Sequence, residues 1–185
     1  DEVREVLTRL EELVRRVTKE LEDSLRNTER VRRTIRKLAE EVNRDSKRLK
    51  DEVKKVLEKI KDKDTLRKVV DDVEKELEEL NRTLERLVRE VSRYLRENND
   101  RSRKLVEEVI ERARRIVDTL RRAGVPEEAV ETLKRKVEEI ERRLKRMVEE
   151  DRKTIEEIEE EVRRLVKTNR EIIKEIVETL REAVR

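Results

Sequence analysis

The sequence predicts an all-α protein, a single-chain antiparallel three-helix bundle that runs up, down and up and packs like a coiled coil. Of its 185 residues, 55% are charged and 33% are hydrophobic, and the formal net charge is only +3. A highly charged composition with apolar residues at every third or fourth position is typical of long helices and coiled coils. The helical pattern is broken at two places, which divides the chain into three helices.

The first helix is predicted over about residues 2–61, where apolar residues recur at steps of three and four. It is followed by a polar stretch, residues 61–65, in which Asp64 is the expected N-cap in front of Leu66. The second helix is therefore predicted over about residues 65–122.

The second interruption contains Gly124 and Pro126. Gly124 suits the left-handed conformation just past a helix end, and Pro126 suits the first turn of the next helix, predicted over about residues 126–184. Each helix has roughly 60 residues and is about 90 Å long at 1.5 Å per residue. Short loops between helices of equal length imply antiparallel neighbours, so residues 1–185 are expected to form a single domain.

Adjacent apolar residues widen the stripe of each helix, as at Leu13-Val14, Leu87-Val88 and Ile172-Ile173. A widened stripe suits a helix that packs against two neighbours. The stripes are therefore expected to close a three-helix core and to leave little apolar surface for a further partner.

Polar residues interrupt the apolar stripe of every helix at two heights, and they are expected to form two buried hydrogen-bond layers. The first predicted layer contains Ser24, Asn27, Thr28, Asn98, Asn99, Ser102, Asp151 and Thr154. The second predicted layer contains Asn43, Ser46, Asn81, Thr168 and Asn169.

Folding the chain at its two loops brings these residues level with one another. A turn near residue 63 pairs residues of the first two helices whose numbers sum to about 126, so Thr28 faces Asn98. A turn near residue 124 pairs the second and third helices at sums of about 249. Asn98 then meets Asp151, and Asn81 meets Thr168 and Asn169. The first and third helices are then parallel, with an offset of about 123 residues.

Such layers select one register, because a shifted register places buried amides and hydroxyls against Leu or Val at about 1–3 kcal/mol for each unsatisfied group. The alternative is that some of these residues only edge the core and meet water. Charge favours the same alignment, since basic residues of the first helix lie level with acidic residues of the third: Arg26, Arg30, Arg32, Arg33, Arg36 and Lys37 with Glu149, Glu150, Glu156, Glu157, Glu159, Glu160 and Glu161.

The composition excludes the common catalytic sites. The chain has no His or Cys and a single Gly, which excludes a catalytic triad, a thiol nucleophile, the usual zinc ligands and a glycine-rich phosphate loop. Asp151 is the acid expected near the core, where Asn98 and Thr154 favour the role of hydrogen-bond acceptor over that of catalytic base. The chain is predicted not to be an enzyme and to need no cofactor or metal.

Nucleic acid is considered because the isoelectric point is about 9.1. Binding usually needs clustered basic residues, often with aromatic residues for stacking. Here 52 basic residues are interleaved with 49 acidic ones and Tyr94 is the single aromatic residue, so no specific nucleic-acid partner is predicted.

No apolar run reaches the length of a membrane span, and the first residues lack the apolar stretch of a signal peptide, so a soluble protein, cytoplasmic on expression, is expected.

The near-ideal helices, Glu/Lys/Arg surface, Val/Leu/Ile core, short loops and Ser/Thr/Asn layers resemble de novo designed helical bundles with buried hydrogen-bond networks. The resemblance covers the whole chain and is one of style, since no motif identifies a particular design. It implies a monomeric structural scaffold, a rigid and stable rod that needs no partner and has no natural activity or localisation. Two other classes stay open: an interaction module that accepts a partner helix or self-associates, and a natural coiled-coil structural protein.

Overall fold

The computed structural model describes residues 2–185, with side chains from Arg4 onward; Asp1, the first residue of the expected domain, lies outside this range. The described residues form three long helices and contain no strand: α1 (Glu2–Lys59), α2 (Lys63–Arg122) and α3 (Glu127–Val184). They contain 58, 60 and 58 residues. The predicted all-α three-helix bundle is confirmed. The first helix ends at Lys59, slightly before the predicted residue 61, and the second begins at Lys63, slightly before the predicted residue 65.

Asp62, rather than Asp64, is the N-cap of α2, which corrects the expectation from the sequence. Its Oδ2 accepts hydrogen bonds from the Thr65 hydroxyl at 2.7 Å and from the Thr65 backbone N–H at 3.3 Å. The hydrogen bond from the hydroxyl is the main reason that the pKa of Asp62 lies below its ordinary value of 3.8, and the hydrogen bond from the N–H is the next. The helix begins at Lys63, so Thr65 is its third residue, whose amide an N-cap side chain satisfies. Asp64 lies in the first turn, where the helix dipole favours a carboxylate.

The loop between α2 and α3 is a Schellman motif. The backbone N–H of Val125 donates to the carbonyl of Leu120 at 3.2 Å, and that of Gly124 donates to the carbonyl of Arg121 at 3.2 Å. Gly124 has a φ of 86°, the left-handed conformation that glycine adopts without steric cost. The carbonyl of Pro126 accepts the first hydrogen bonds of α3, so the chain reverses direction within a few residues.

All three helices contribute to each of two compact units. Unit 1 contains the chain up to Arg30 together with Tyr94–Glu156. Its hydrophobic cluster is aliphatic, and each fully buried Leu, Ile or Val stabilises the fold by roughly 1.5–3 kcal/mol relative to an exposed one. The buried members of this cluster are Leu10, Val14, Val17, Leu21, Val106, Val109, Ile110, Ala113, Val117, Val130, Val137 and Leu144. Leu95, Leu120 and Ile155 are buried in unit 1 outside the cluster.

Unit 2 contains Val31–Arg93 and Glu157–Arg185. Its buried cluster consists of Leu57, Val70, Leu77, Ile173, Ile176 and Leu180. The stripe of α3 is also buried outside this cluster, at Ile158, Val162 and Leu165. The described stretches 31–56 of α1 and 78–93 of α2, by contrast, contain no fully buried residue. The expectation of little spare apolar surface is therefore wrong for this unit.

Substitution of Gly124 tests the loop geometry. A Cβ at this position meets no atom within 4 Å, so Gly124→Ala changes only the backbone strain and is expected to lower the free energy of unfolding by about 1 kcal/mol. Urea denaturation measures the change. Gly124→Asn is the control, because asparagine tolerates the left-handed conformation better and should cost less. An alanine variant as stable as the parent would contradict this account of the loop.

Candidate functional site

Asp151 of α3 is a carboxylate held almost entirely inside unit 1. The residue is 3% exposed. The Thr28 hydroxyl of α1 donates a hydrogen bond to its Oδ1 at 2.6 Å, and Nδ2 of Asn99 in α2 donates to its Oδ2 at 3.0 Å. These three residues, called the Asp151 cluster below, therefore connect all three helices through one carboxylate.

The two donors of the Asp151 cluster are themselves buried and also contact the backbone. Thr28 Oγ1 lies 3.0 Å from the carbonyl oxygen of Ser24, one turn earlier, and Asn99 Nδ2 donates to the carbonyl of Val148 at 3.0 Å. Thr28 and Asp151 are 123 residues apart, which is the offset that the sequence indicated for the first and third helices. Because an unpaired buried polar group costs about 1–3 kcal/mol, these contacts favour a single register in unit 1.

The other residues proposed for the first layer lie at the edge of the core. These half-buried residues are Ser24, Asn27, Asn98, Ser102 and Thr154. Asn27 Nδ2 donates to the phenol oxygen of Tyr94 at 3.2 Å, and Thr154 Oγ1 donates to the carbonyl of Glu150 at 3.1 Å. The arrangement is thus a buried centre with a half-buried polar rim.

Tyr94 belongs to this rim, although the sequence pattern did not assign it to the layer. It is 50% exposed. The pKa of its phenol is lowered below the ordinary value of 10.0, mainly by a hydrogen bond from Asn98 and to a smaller extent by the one from Asn27. Tyr94 and Asn98 are four residues apart in α2, so they lie on one helix face. This spacing is the signal by which the sequence identifies the pair.

The second proposed layer lies in unit 2, where hydrogen bonding is less complete. Ser46 Oγ of α1 donates to Oδ1 of the buried Asn169 of α3 at 3.1 Å. Asn43 and Asn81 each have a buried Oδ1 for which the described residues supply no donor. Thr168 is exposed, which corrects its placement in the core. Neighbouring helical positions point about 100° apart, and Asn169 has the inward one.

Ion pairs connect α1 to α3 in unit 2. Arg36 donates to Glu161 through Nε at 3.2 Å and through Nη2 at 2.8 Å, and the hydrogen bond from Arg36 is the main cause that lowers the pKa of Glu161. Lys50 Nζ donates to Glu175 at 2.8 Å, which raises the pKa of Lys50. These pairs are exposed, so they favour one helix orientation more than they add stability.

Three other kinds of site are relevant to the described residues: a metal site, a membrane span and a ligand groove. They contain no group of three or more His, Cys, Asp or Glu side chains arranged to hold a metal ion. None of the helices in this part of the chain is long and apolar enough to cross a membrane. A groove of about 680 Å³ in unit 1 has an aliphatic floor and charged edges, and its floor includes Leu10, Val14, Val137 and Ile140. The Asp151 cluster joins all three helices through buried polar contacts, and its geometry holds helices together.

Truncation of Asn99 tests the Asp151 cluster. Asn99→Ala removes the donor to Asp151 Oδ2 and to the Val148 carbonyl, so we expect the free energy of unfolding to fall by about 2–3 kcal/mol. Asn98→Ala is the matched control, since the neighbouring amide is only half-buried and should cost less than about 1 kcal/mol. Equal losses in urea denaturation would show that Asn99 is not the buried partner.

The phenol of Tyr94 provides a spectroscopic test of the rim, because it is the single aromatic side chain of the protein. Absorbance near 295 nm followed against pH should show ionisation of the folded protein at a lower pH than in 8 M urea. Because the pKa of Tyr94 is lower in the folded state than in the unfolded state, ionisation of the phenol adds stability as the pH rises from the folded pKa to the unfolded pKa. Asn98→Ala should move the folded midpoint upward, and an unchanged midpoint would exclude the hydrogen bond.

Comparison with known proteins shows a likeness to a solved structure. No protein-family model matches the sequence, and no curated protein matches it. Among solved structures, the chain is similar to a protein described as "Computationally designed three helix bundle", with a TM-score of 0.55 and 15% sequence identity over 99% of this chain and 90% of that one. At this level of identity the likeness shows the fold, a three-helix bundle.

Proposed function

We propose that the chain is a de novo designed structural scaffold, a rigid, monomeric helical rod without natural biochemical activity. The Asp151 cluster carries the proposal, because a buried carboxylate receives one donor from each of the other two helices. Replacing a complete buried polar network by apolar groups is often neutral or stabilising, whereas removing one partner is costly. The main effect of such a cluster is therefore to select one arrangement of the helices.

Agreement between the levels of structure supports the proposal. The helices have nearly equal lengths of 58, 60 and 58 residues, and the loops have the turn residues that their geometry requires at Asp62 and Gly124. Designed proteins favour such idealised elements and consistent local signals. The similar solved structure is itself described as computationally designed, which is a further point in favour.

Replacement of the whole cluster tests this role. In the triple variant Thr28→Val, Asn99→Leu, Asp151→Leu, we expect the free energy of unfolding to stay equal or to rise by about 1–4 kcal/mol. We also expect the variant to lose uniqueness, because an all-aliphatic core tolerates more than one register or oligomer. Light scattering and backbone amide NMR spectra should then show several species where the parent shows one monomer.

Thr18→Val is the matched control for this experiment. The Thr18 hydroxyl donates to the carbonyl of Val14 in its own helix at 2.8 Å. Loss of this hydroxyl should therefore change neither the oligomeric state in light scattering nor the number of backbone amide resonances. A triple variant that is less stable than the parent and still uniquely folded would contradict the proposal, because the cluster would then stabilise the fold instead of selecting it.

A further inference from the structure

We propose that unit 2 has a docking surface for a basic amphipathic helix of a partner protein. The surface is an open seam of exposed aliphatic side chains, defined by Leu38, Leu49, Val56, Leu80 and Leu87, which are 37%, 37%, 53%, 54% and 45% exposed. Single exposed leucines are common, but several exposed aliphatic residues repeated along one side of two helices point to an interaction site.

The seam residues share one side of each helix. Leu38, Leu49 and Val56 recur after about three and then two turns of α1, and Leu80 and Leu87 after about two turns of α2. Lys50, which pairs with Glu175 of α3, follows Leu49 directly and so points about 100° away from it. Residues that contact α3 therefore lie on a different side of α1 from the seam.

The same holds for α2. Glu85 pairs with Arg170 of α3, and Leu87, two positions later, points about 160° away from Glu85. Each helix of a three-helix bundle has one side toward each neighbour and one side toward solvent. An apolar stripe residue that is half exposed and turned away from α3 therefore lies where the side toward the other helix meets solvent. The seam thus follows the α1–α2 side of unit 2, where these two helices leave their apolar stripes open to solvent.

Hydrogen bonding in unit 2 is also incomplete on the sides of α1 and α2 that face α3, because Asn43 shares a helix face with Lys50 and Asn81 shares one with Glu85. The buried Oδ1 atoms of Asn43 and Asn81 find no donor within the described residues, whereas both carboxylate oxygens of Asp151 in unit 1 are paired. Unit 1 also has buried aliphatic residues on every helix along its length. Three helices are therefore sufficient for unit 1, while the stripes of α1 and α2 in unit 2 lack apolar cover at the seam.

Charge beside the seam identifies the kind of partner. Positions three or four residues from a seam member are its neighbours on the helix surface, and their charged residues are Glu41, Asp45, Glu52, Lys59, Glu76 and Glu90. All of them are exposed, and the five acidic ones form no ion pair within the described chain. A helix with lysine or arginine beside its apolar stripe complements this acidic rim. A second copy docked face to face through the seam brings like charges together.

The length of the seam sets the size of the partner segment. Leu38 and Val56 are 18 residues apart in one helix, which corresponds to about 27 Å at 1.5 Å per residue. An amphipathic helix of about 20 residues therefore covers the seam, with apolar residues at every third and fourth position as anchors.

Two synthetic peptides of 21 residues test the proposal with the full chain. Both have leucine at the a and d positions of three heptads; one has lysine at the flanking positions and the other has glutamate. Fluorescence anisotropy of labelled peptide should show the lysine peptide binding at least about tenfold more tightly, with weaker binding at 300 mM than at 50 mM NaCl. Equal binding of the two peptides, or binding of neither, would overturn the proposal.

Variants of the chain locate the binding surface. Leu80→Ser with Leu87→Ser should weaken the lysine peptide by at least about tenfold, and Glu41→Gln, Asp45→Asn and Glu52→Gln together should reduce the preference for lysine over glutamate. The control, Glu79→Ser with Arg86→Ser, changes exposed residues outside the seam without altering the net charge and should leave binding intact. Circular dichroism checks that each variant stays helical.

Two results with these variants count against a basic partner helix. Unchanged peptide binding by the Leu80→Ser, Leu87→Ser variant would place the peptide elsewhere. A parent chain that dimerises in light scattering, and becomes monomeric in that variant, would assign the seam to a second copy.

Discussion

A carboxylate is tolerated inside an aliphatic core only where hydrogen-bond donors meet it, and the rest of unit 1 depends on this constraint at Asp151. Its donors, Thr28 and Asn99, come from different helices. Sliding α1 or α2 by about two turns replaces them with a residue such as Leu21 or Val106. Aliphatic burial supplies the stability of the unit, and the carboxylate determines which of several similar aliphatic arrangements forms.

Unit 2 follows the same plan with fewer constraints on α1 and α2. Ser46 and Asn169 reproduce the 123-residue offset, and ion pairs such as Arg36–Glu161 hold α1 beside α3. The stripe of α3 is buried while those of α1 and α2 are half open. Few buried apolar contacts are characteristic of regions that open easily. The half-open stripes of α1 and α2 also give unit 2 an apolar surface that a further helix can cover. Unit 1 has less need of such cover because its helices bury their own stripes.

The sequence predicted most of the fold because each helix has a regular apolar period and Gly124 and Pro126 mark one loop without ambiguity. Two adjacent acids compete for the other loop, and helix start geometry selects Asp62 over Asp64. Periodicity also shows which face of a helix is apolar, but not how closely two helices approach. For that reason the apolar period alone does not indicate that Leu80 and Leu87 are exposed. Thr168 and Asn169 illustrate the same limit, since two adjacent polar residues leave the inward position undecided.

Exchange of the Asn99 side-chain amide protons with solvent is the most direct test of the buried carboxylate and its donors. An Asn99 Nδ2 that donates to Asp151 and to the Val148 carbonyl inside the core should exchange its protons at least about a hundredfold more slowly than the half-buried amides of Asn27 and Asn98, because exchange then requires opening of the structure. NMR measures all of these rates in one sample. An Asn99 amide that exchanges as fast as Asn27 and Asn98 would contradict the burial of the Asp151 cluster and, with it, the register of the three helices.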